Sequence, residues 1–368
     1  MQKNINKQNI NRKIKIAHCV VALSGGVGSM IMNYFDHMKN EYEIHIITQD
    51  LVSEEYRNIY ERRGYIIHVV PSKREGIGKN IKALKKVFRQ EKFDIVHAHM
   101  TFTNVFPLFA AKIAGISVRI SHSHLSGKAD LRGRIAAVLN KMVATDLFAC
   151  GKEAGRVLYG KSKFVLIKNA ISLKEYQYNE EIRKIQRMLL GFEASDRVYC
   201  HIGRFTDQKN HTFLIDIFSE IAKNDRHAKL LLIGEGELEA KIREKVETVK
   251  LEEKVIFAGF IEDVALKLQA VDVFLLPSKV EGLCIAAIEA QAAGLPCILS
   301  EQVDPATKVN DNVEFASIHS VKQWVQLAEK YMGTDRIQEN KRLEAAGFDI
   351  DCEAEKLDKY YHKKLKYC

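Results

Sequence analysis

Residues 271–300, VDVFLLPSKVEGLCIAAIEAQAAGLPCILS, most restrict what this 368-residue chain can fold into. The run 271–276 is apolar and β-rich, and Pro277 and Ser278 stop it. Across 283–293 apolar residues recur at helical spacing; Gly294 and Pro296 end that helix, and 297–299 begins the next strand. Two carboxylates interrupt the pattern. Glu281 falls in the loop at the helix N-terminus and Glu289 inside the helix, a little over two turns further on and on roughly the same side. Acids beside a helix N-terminus suit a ligand that offers hydroxyls to the carboxylates and phosphates to the free backbone N–H groups. A nucleotide sugar offers both. Read alone, the pair also fits a dipole-favoured loop acid and a solvated helix residue.

The first half repeats the strand–helix alternation. A buried-strand pattern over 14–21 runs into the turn Leu23-Ser24-Gly25-Gly26-Val27-Gly28 and a helix over about 29–38. Amides of Gly25 and Gly26 could meet a phosphate, but the spacing departs from G-x-G-x-x-G, and glycines needed only for a tight turn are the alternative. Further strands are predicted over 43–48, 66–70, 94–99, 118–122, 146–150 and 164–168, with helical segments between them. This alternation predicts a doubly wound parallel sheet, whose ligands sit at the C-terminal strand ends. Two histidine pairs, His97 with His99 and His122 with His124, fall at such ends. A metal can bind His-x-His, but no carboxylate or cysteine lies close in sequence, so hydrogen-bonding histidines and no metal site are expected.

Length allows two domains, each able to bury its own core. No apolar run approaches the roughly 18–20 residues of a membrane helix. The polar, basic segment 1–13 lacks the apolar core of a signal peptide and reads as a disordered leader, so a cytoplasmic chain is expected. Seven cysteines, odd in number and without a C-x-x-C pair, argue against a disulfide framework or structural zinc. Charge is uneven: residues 1–175 carry 29 Lys and Arg against 14 Asp and Glu, net +15, whereas 176–368 carry 27 against 33, net −6. Two stretches concentrate the positive charge. Residues 79–92 set Ile81, Leu84, Val87 and Phe88 on one face, with Lys82, Lys85, Lys86 and Arg89 over much of the rest, and 128–141 add Lys128, Arg132, Arg134 and Lys141. Both read either as solvated helices or as contacts with an anionic membrane surface, worth about 1 kcal/mol per basic residue. Nucleic acid is not expected, since no aromatic platform or recognised binding motif accompanies the charge.

In the second half, periodicity lapses over 169–180 and a new sheet opens at 198–202. The loop Gly203-Arg204-Phe205-Thr206-Asp207-Gln208-Lys209-Asn210 follows; its Arg and Lys, five apart, could converge on one diphosphate or be exposed loop charges. Strands over 230–233 and 255–257 end in Gly234-Glu235-Gly236 and Gly259-Phe260, and helices are predicted over 321–331 and 352–365, with Asp351 as an N-cap.

The segment EGLCIAAIEAQAAGLP resembles the donor-binding signature of glycosyltransferase family 4, in its bacterial polysaccharide-synthesis branch, and IGRFTDQKN resembles that family's diphosphate-binding loop. The resemblance covers roughly 14–300, with Cys284 standing where the family usually has Gly or Pro. It implies the GT-B arrangement, two Rossmann-like domains facing across a cleft: an acceptor domain over 14–175, a donor domain over 176–345, a hinge in the segment 169–180 with Asn169 just before the linker, and a C-terminal helix within 346–368 for which a return to the first domain is one arrangement. It implies a retaining, metal-independent transfer of a hexose or N-acetylhexosamine from a nucleoside-diphosphate sugar, a UDP-sugar first. Arg204 and Lys209 would hold the diphosphate, Glu281 the sugar hydroxyls and Glu289 the ribose. His124, or alternatively His122, would face the reacting sugar. Gly25, Gly26, Gly203, Gly234 and Glu235 would lie beside the phosphates and nucleotide, Gly259 and Phe260 beside the base, and Gly282, Leu283, Cys284 and Ile285 around the donor. With the basic first half, the resemblance leads to a lipid-linked oligosaccharide acceptor at the inner face of the cell membrane. The alternatives are a nucleotide-sugar epimerase or hydrolase of the same fold, and a non-catalytic protein that binds anionic surfaces or nucleic acid.

Overall fold

A computed structural model describes residues 12–366 apart from 24–25, 39–40, 50–51, 53 and 125–130. Gly25, Lys128 and most of the expected leader therefore lie outside the described residues. The chain divides into two compact units, residues 1–169 with 350–368 and residues 170–349.

The first unit is one parallel sheet of seven strands: β1 (Ile14–Cys19), β2 (Tyr42–Thr48), β3 (Ile66–Val69), β4 (Ile95–Ala98), β5 (Val118–Ser123), β6 (Asp146–Ala149) and β7 (Val165–Leu166). Their order is β3-β2-β1-β4-β5-β6-β7, so the winding reverses between β1 and β4, where parallel sheets of this kind place ligands. Helices α1 (Gly26–Asp36), α2 (Glu54–Arg62), α3 (Ile77–Glu91), α4 (Val105–Ala114), α5 (Leu131–Val143) and α6 (Lys152–Tyr159) connect the strands. Helix α3 shows why these segments form. Leu84 and Phe88, one turn apart, are buried against Val96 and Leu108, each such side chain contributing about 1.5–3 kcal/mol of transfer free energy. Lys82, Lys86 and Arg89 stay exposed on the far side. Lys92 ends the helix in a left-handed conformation and returns its N–H to Phe88 O at 3.1 Å.

The second unit opens with α7 (Glu180–Leu189), capped by Asn179, and holds a six-stranded parallel sheet. Its strands are β8 (Arg197–Ile202), β9 (Ala228–Ile233), β10 (Val255–Phe257), β11 (Val273–Leu276), β12 (Cys297–Ser300) and β13 (Val313–Ala316), in the order β10-β9-β8-β11-β12-β13. Here the reversal falls between β8 and β11, whose C-terminal ends lead into the loops at Gly203 and Glu281. Helices α8 (His211–Asn224), α9 (Glu239–Thr248), α10 (Val264–Gln269), α11 (Ile285–Ala292), α12 (Val321–Tyr331) and α13 (Asn340–Ala345) cover it. Trp324 of α12 is fully buried, and its indole N–H donates to Ser317 O at 2.9 Å. The chain then returns to the first unit as α14 (Ile350–Leu365), where Tyr42 donates to Asp358 at 2.6 Å and Tyr360 to Asp146 at 2.5 Å.

Three sequence expectations are corrected. Helix α11 starts at Ile285 rather than 283, because Cys284 keeps an extended backbone (φ −83°, ψ 110°) as the cap position. Asp351 is the second residue of α14 and not its N-cap, an acid in the first turn where the helix dipole favours it. The strand predicted over 164–168 shortens to the two residues of β7.

Candidate active site

In the second unit the loop after β8 is shaped by close backbone approach. Gly234 has φ +131°, and a Cβ there would collide with the Gly203 carbonyl; one at Gly236 would stand 2.7 Å from Phe205 N. The backbone seals the two turns together: Phe205 N–H donates to Glu235 O at 3.0 Å and Gly234 N–H to Gly259 O at 2.8 Å. Glu235 reaches from the first turn to the Phe260 N–H at 3.3 Å. The predicted glycine turns at 203, 234 and 259 thus become one surface.

A short 3₁₀ turn, Asp207–Lys209, follows, and Asn210 in the left-handed region (φ 58°) starts α8 while its amide donates to Pro277 O at 3.1 Å. That pivot turns Lys209 inward. Its Nζ lies 2.6 Å from Glu281 Oε2 and 3.9 Å from Cys284 Sγ, with both charged side chains 16% exposed. Glu281 is held by its backbone, donating to Gln302 O at 3.2 Å and accepting from Asp304 N–H at 3.1 Å, four residues before α11 begins. Gly282, Leu283 and Ile285 are half-buried around it, and Cys284 is buried. Arg204 is exposed and makes no ion pair with any described residue. The two loop cations therefore differ. Lys209 is already paired, whereas Arg204 projects into solvent.

Glu289 sits within α11 and accepts a hydrogen bond from Tyr176 at 2.9 Å. Burial pushes its carboxyl up to about 7, and the Tyr176 hydroxyl works against that rise. Beneath the loop, His201 is anchored through Nδ1 to Leu275 O at 2.8 Å, and the buried His211 ring stacks on Phe205 with centroids 4.1 Å apart. Sequence reading missed Tyr176, which meets Glu289 across 113 residues, and His201 and His211 beneath the loop; His201 alone carried a signal, as a polar residue inside an apolar strand.

In the first unit Gly26 is exposed at the start of α1, and Gly28 is packing-limited, since a Cβ there would strike Leu23 O and the Tyr60 hydroxyl. The four predicted histidines come together at the ends of β4 and β5 and are joined by His18 from β1. His99 bonds His18 at 2.9 Å and His124 at 3.0 Å; His97 bonds His122 at 3.1 Å and the Tyr361 hydroxyl of α14 at 2.8 Å. Burial lowers His124 to about 4 and His18 to about 3, and holds His97, His99 and His122 well below the usual imidazole range. The cluster is neutral at physiological pH. Of the two candidates, His122 is fully enclosed and His124, after the strand end, keeps part of its surface open.

Comparison with known proteins matches both units. Residues 24–152 fit the family model described as Glycosyltransferase Family 4, and residues 181–345 that of Glycosyl transferases group 1. EpsF of Bacillus subtilis (strain 168), named for glycosyltransferase activity, is 30% identical over 308 residues, covering 78% of this chain and 79% of its own. This chain belongs to glycosyltransferase family 4. Another relative of this family 4 glycosyltransferase is the Escherichia coli UDP-Gal:alpha-D-GlcNAc-diphosphoundecaprenol alpha-1,3-galactosyltransferase, 25% identical over 321 residues, 80% of this chain and 81% of its own. Among solved structures, Anabaena HepE in complex with UDP and glucose superposes with a TM-score of 0.77 at 16% identity, covering 95% of this chain and 100% of HepE. The fold of the family 4 chain is thus GT-B, two Rossmann-like units. No helix among the described residues is long and apolar enough to cross a membrane.

Proposed function

We propose that this glycosyltransferase is a retaining hexosyl- or N-acetylhexosaminyltransferase that uses a UDP-sugar and needs no metal for the transfer. The carrying observation is the Lys209–Glu281 pair at 2.6 Å, a cation and a carboxylate held together at the foot of α11. A donor diphosphate competes with Glu281 for Lys209 and frees the carboxylate to accept hydrogen bonds from the sugar. In the transfer the bond from the anomeric carbon to the diphosphate oxygen breaks, and a bond to the acceptor hydroxyl oxygen forms on the same face. Negative charge grows on the leaving diphosphate. Lys209, Arg204 and the backbone amides beside Gly203 and Gly234 stabilise it, and each such preorganised donor is worth about 2.7–4 kcal/mol in the barrier. The diphosphate takes up the acceptor proton. Glu289 and Glu235 bind the nucleoside end, with Gly259 and Phe260 at the base, and His124, with His122 as the alternative, faces the sugar.

The E. coli relative, whose name specifies a diphosphoundecaprenol-linked substrate, supports a lipid-linked glycan acceptor in surface polysaccharide synthesis. Helix α5 supports a peripheral place on the inner membrane face: Ile135, Val138, Leu139 and Met142 recur at helical spacing with 42–67% exposure, between exposed Arg134 and Lys141. An apolar stripe edged by cations is the pattern of a surface-lying helix.

The test is a thermal-shift titration with UDP, GDP and ADP, with and without magnesium. A ligand at one hundred times its dissociation constant adds roughly 2.7 kcal/mol of stability. A magnesium-independent shift with UDP, lost in Glu289→Ala, is the expected outcome; no shift with any nucleotide would sink the reading.

A further inference from the structure

The histidine cluster of the first unit has more ligand capacity than its hydrogen bonds use. Its five imidazoles form two chains, His18–His99–His124 and Tyr361–His97–His122. His18 Nε2 and His124 Nδ1, at the ends of the first chain, are buried without a partner among the described residues, and the His122 ring has the Ile167 backbone as a weak second neighbour. His18 is 2% exposed and His122 0%. A neutral imidazole carries one N–H, so each internal ring donates once and accepts once. Whichever way the protons run along His18–His99–His124, one terminal N–H is buried without an acceptor. An unsatisfied group of that kind is costly to bury.

We propose that His99, His122 and His124 form a binding site for one divalent ion of the zinc class. One nitrogen of each lies within 4.8 Å of the others. Tetrahedral zinc with Zn–N bonds near 2.0–2.1 Å needs separations of about 3.3 Å, so small side-chain shifts close the site. The tautomers of His99 and His122 are already suited to it, while His124 binds through Nδ1 and its Nε2–H loses His99 as acceptor. With its N–H on Nε2, His99 donates to His18 and leaves Nδ1 free for the ion. With its N–H on Nδ1, His122 donates to His97, which donates to Tyr361, and the ion takes His122 Nε2 in place of the weak Ile167 backbone contact. Metal-bound histidines usually donate their other N–H to a neighbour in this manner. Besides that contact only the His99–His124 hydrogen bond is given up, and no proton has to leave the protein. All-imidazole donors favour zinc, cobalt, nickel or copper over magnesium or calcium. Three protein ligands leave a fourth position open, and the partly open His124 marks the side from which the ion enters. Two other groups among the described residues meet the same spacing: His18, His97 and His99, which shares His99 but is wholly buried and offers an ion no open side, and His45, His68 and Glu91, a poorer site because Lys15 already lies 3.8 Å from Glu91.

The assignment of the ion site stands on these contacts alone; its consequence rests on the proposed role of His122 and His124. An ion held there engages the residues that face the sugar, so zinc acts against transfer rather than for it.

The experiment uses the untagged full chain stripped with a chelator and titrated with Co2+ and then Zn2+, followed by calorimetry and by the visible bands of tetrahedral cobalt. One ion per chain is expected, with at least tenfold weaker affinity in His99→Gln and in His124→Gln, which the His18, His97 and His99 group does not include, and unchanged affinity in His45→Gln. No bound ion, affinity unaffected by His99→Gln or by His124→Gln, or affinity lost in His45→Gln would each overturn the proposal. Far-UV circular dichroism checks folding of each variant, and His124→Gln, at the edge of the cluster, replaces His99→Gln if that variant does not fold. None of these readouts depends on UDP, so a failed donor reading leaves the outcome interpretable.

Discussion

Tyr176 donates its hydroxyl to Glu289 across 113 residues of sequence, so the segment ahead of α7 sets the protonation of a carboxyl inside α11. Burial raises that carboxyl to about 7, and the tyrosine opposes the rise. Removing the hydroxyl in Tyr176→Phe forfeits a bond worth about 1 kcal/mol, which corresponds to somewhat under one pH unit. If ionised Glu289 receives the ribose hydroxyls, UDP affinity strengthens as pH rises through about 7 in the wild type. In the variant the same rise occurs at higher pH. Calorimetric UDP titrations from pH 6 to 9 check this, and superimposable profiles would refute it.

Glu289 also leaves a signature in stability. Its folded-state carboxyl lies above its ordinary value of 4.5, so the native protein holds the proton more tightly than the unfolded chain. Its contribution is fully present below about 4.5 and is lost as pH rises to about 7. Glu289→Gln lacks this dependence. The melting temperature of the wild type, relative to Glu289→Gln, is expected to fall between pH 4.5 and 7 and level off above.

The histidines act with the opposite sign. Burial depresses them below the ordinary 6.5, and the folded state favours their neutral form. Their contribution is present above pH 6.5 and is lost as pH falls toward about 4 for His124 and about 3 for His18. The wild type is therefore expected to lose stability steeply below pH 6. His18→Gln and His124→Gln should each shallow the decline in chemical denaturation series.

Gly234→Ala tests the close approach of the two turns. The added methyl meets the Gly203 carbonyl at a backbone φ of +131°, where an L side chain is strained. A loss of about 1–3 kcal/mol in stability is expected, together with a UDP affinity at least tenfold weaker. Gly26→Ala, where nothing lies within 4 Å of the new atom, is expected to leave the melting temperature within a degree or two.

For the membrane reading, Ile135→Glu with Met142→Glu places two charges on the α5 stripe without touching its buried face, since both residues are more than half exposed. Sedimentation with anionic liposomes is expected to drop severalfold while the UDP thermal shift stays in place. Undiminished sedimentation would remove α5 from the membrane contact.

The parallel sheets were legible in the sequence because each strand is a short apolar run closed by a turn, as at 271–276 before Pro277. So was the association of the 203–210 loop with Glu281, through a resemblance that carries spacing information a single residue lacks. The partner of Lys209 was not. Two charges 72 residues apart meet only because Asn210 adopts a left-handed backbone, a conformation that no periodicity reveals. The fifth histidine had the same fate. His18 reads as a polar residue in an apolar strand until the pairing His18↔His97 sets it beside the others. Helix starts failed locally: Cys284 stays out of α11 through its extended backbone rather than its hydrophobicity, and α14 begins one residue before Asp351, at Ile350.

Helix α14 closes a unit whose other residues were laid down before the second unit began. On the ribosome, residues 170–349 can complete their sheet while the first unit still lacks Tyr361 over its histidines and Asp358 beside Tyr42. The part of the chain made first is thus the part that finishes last.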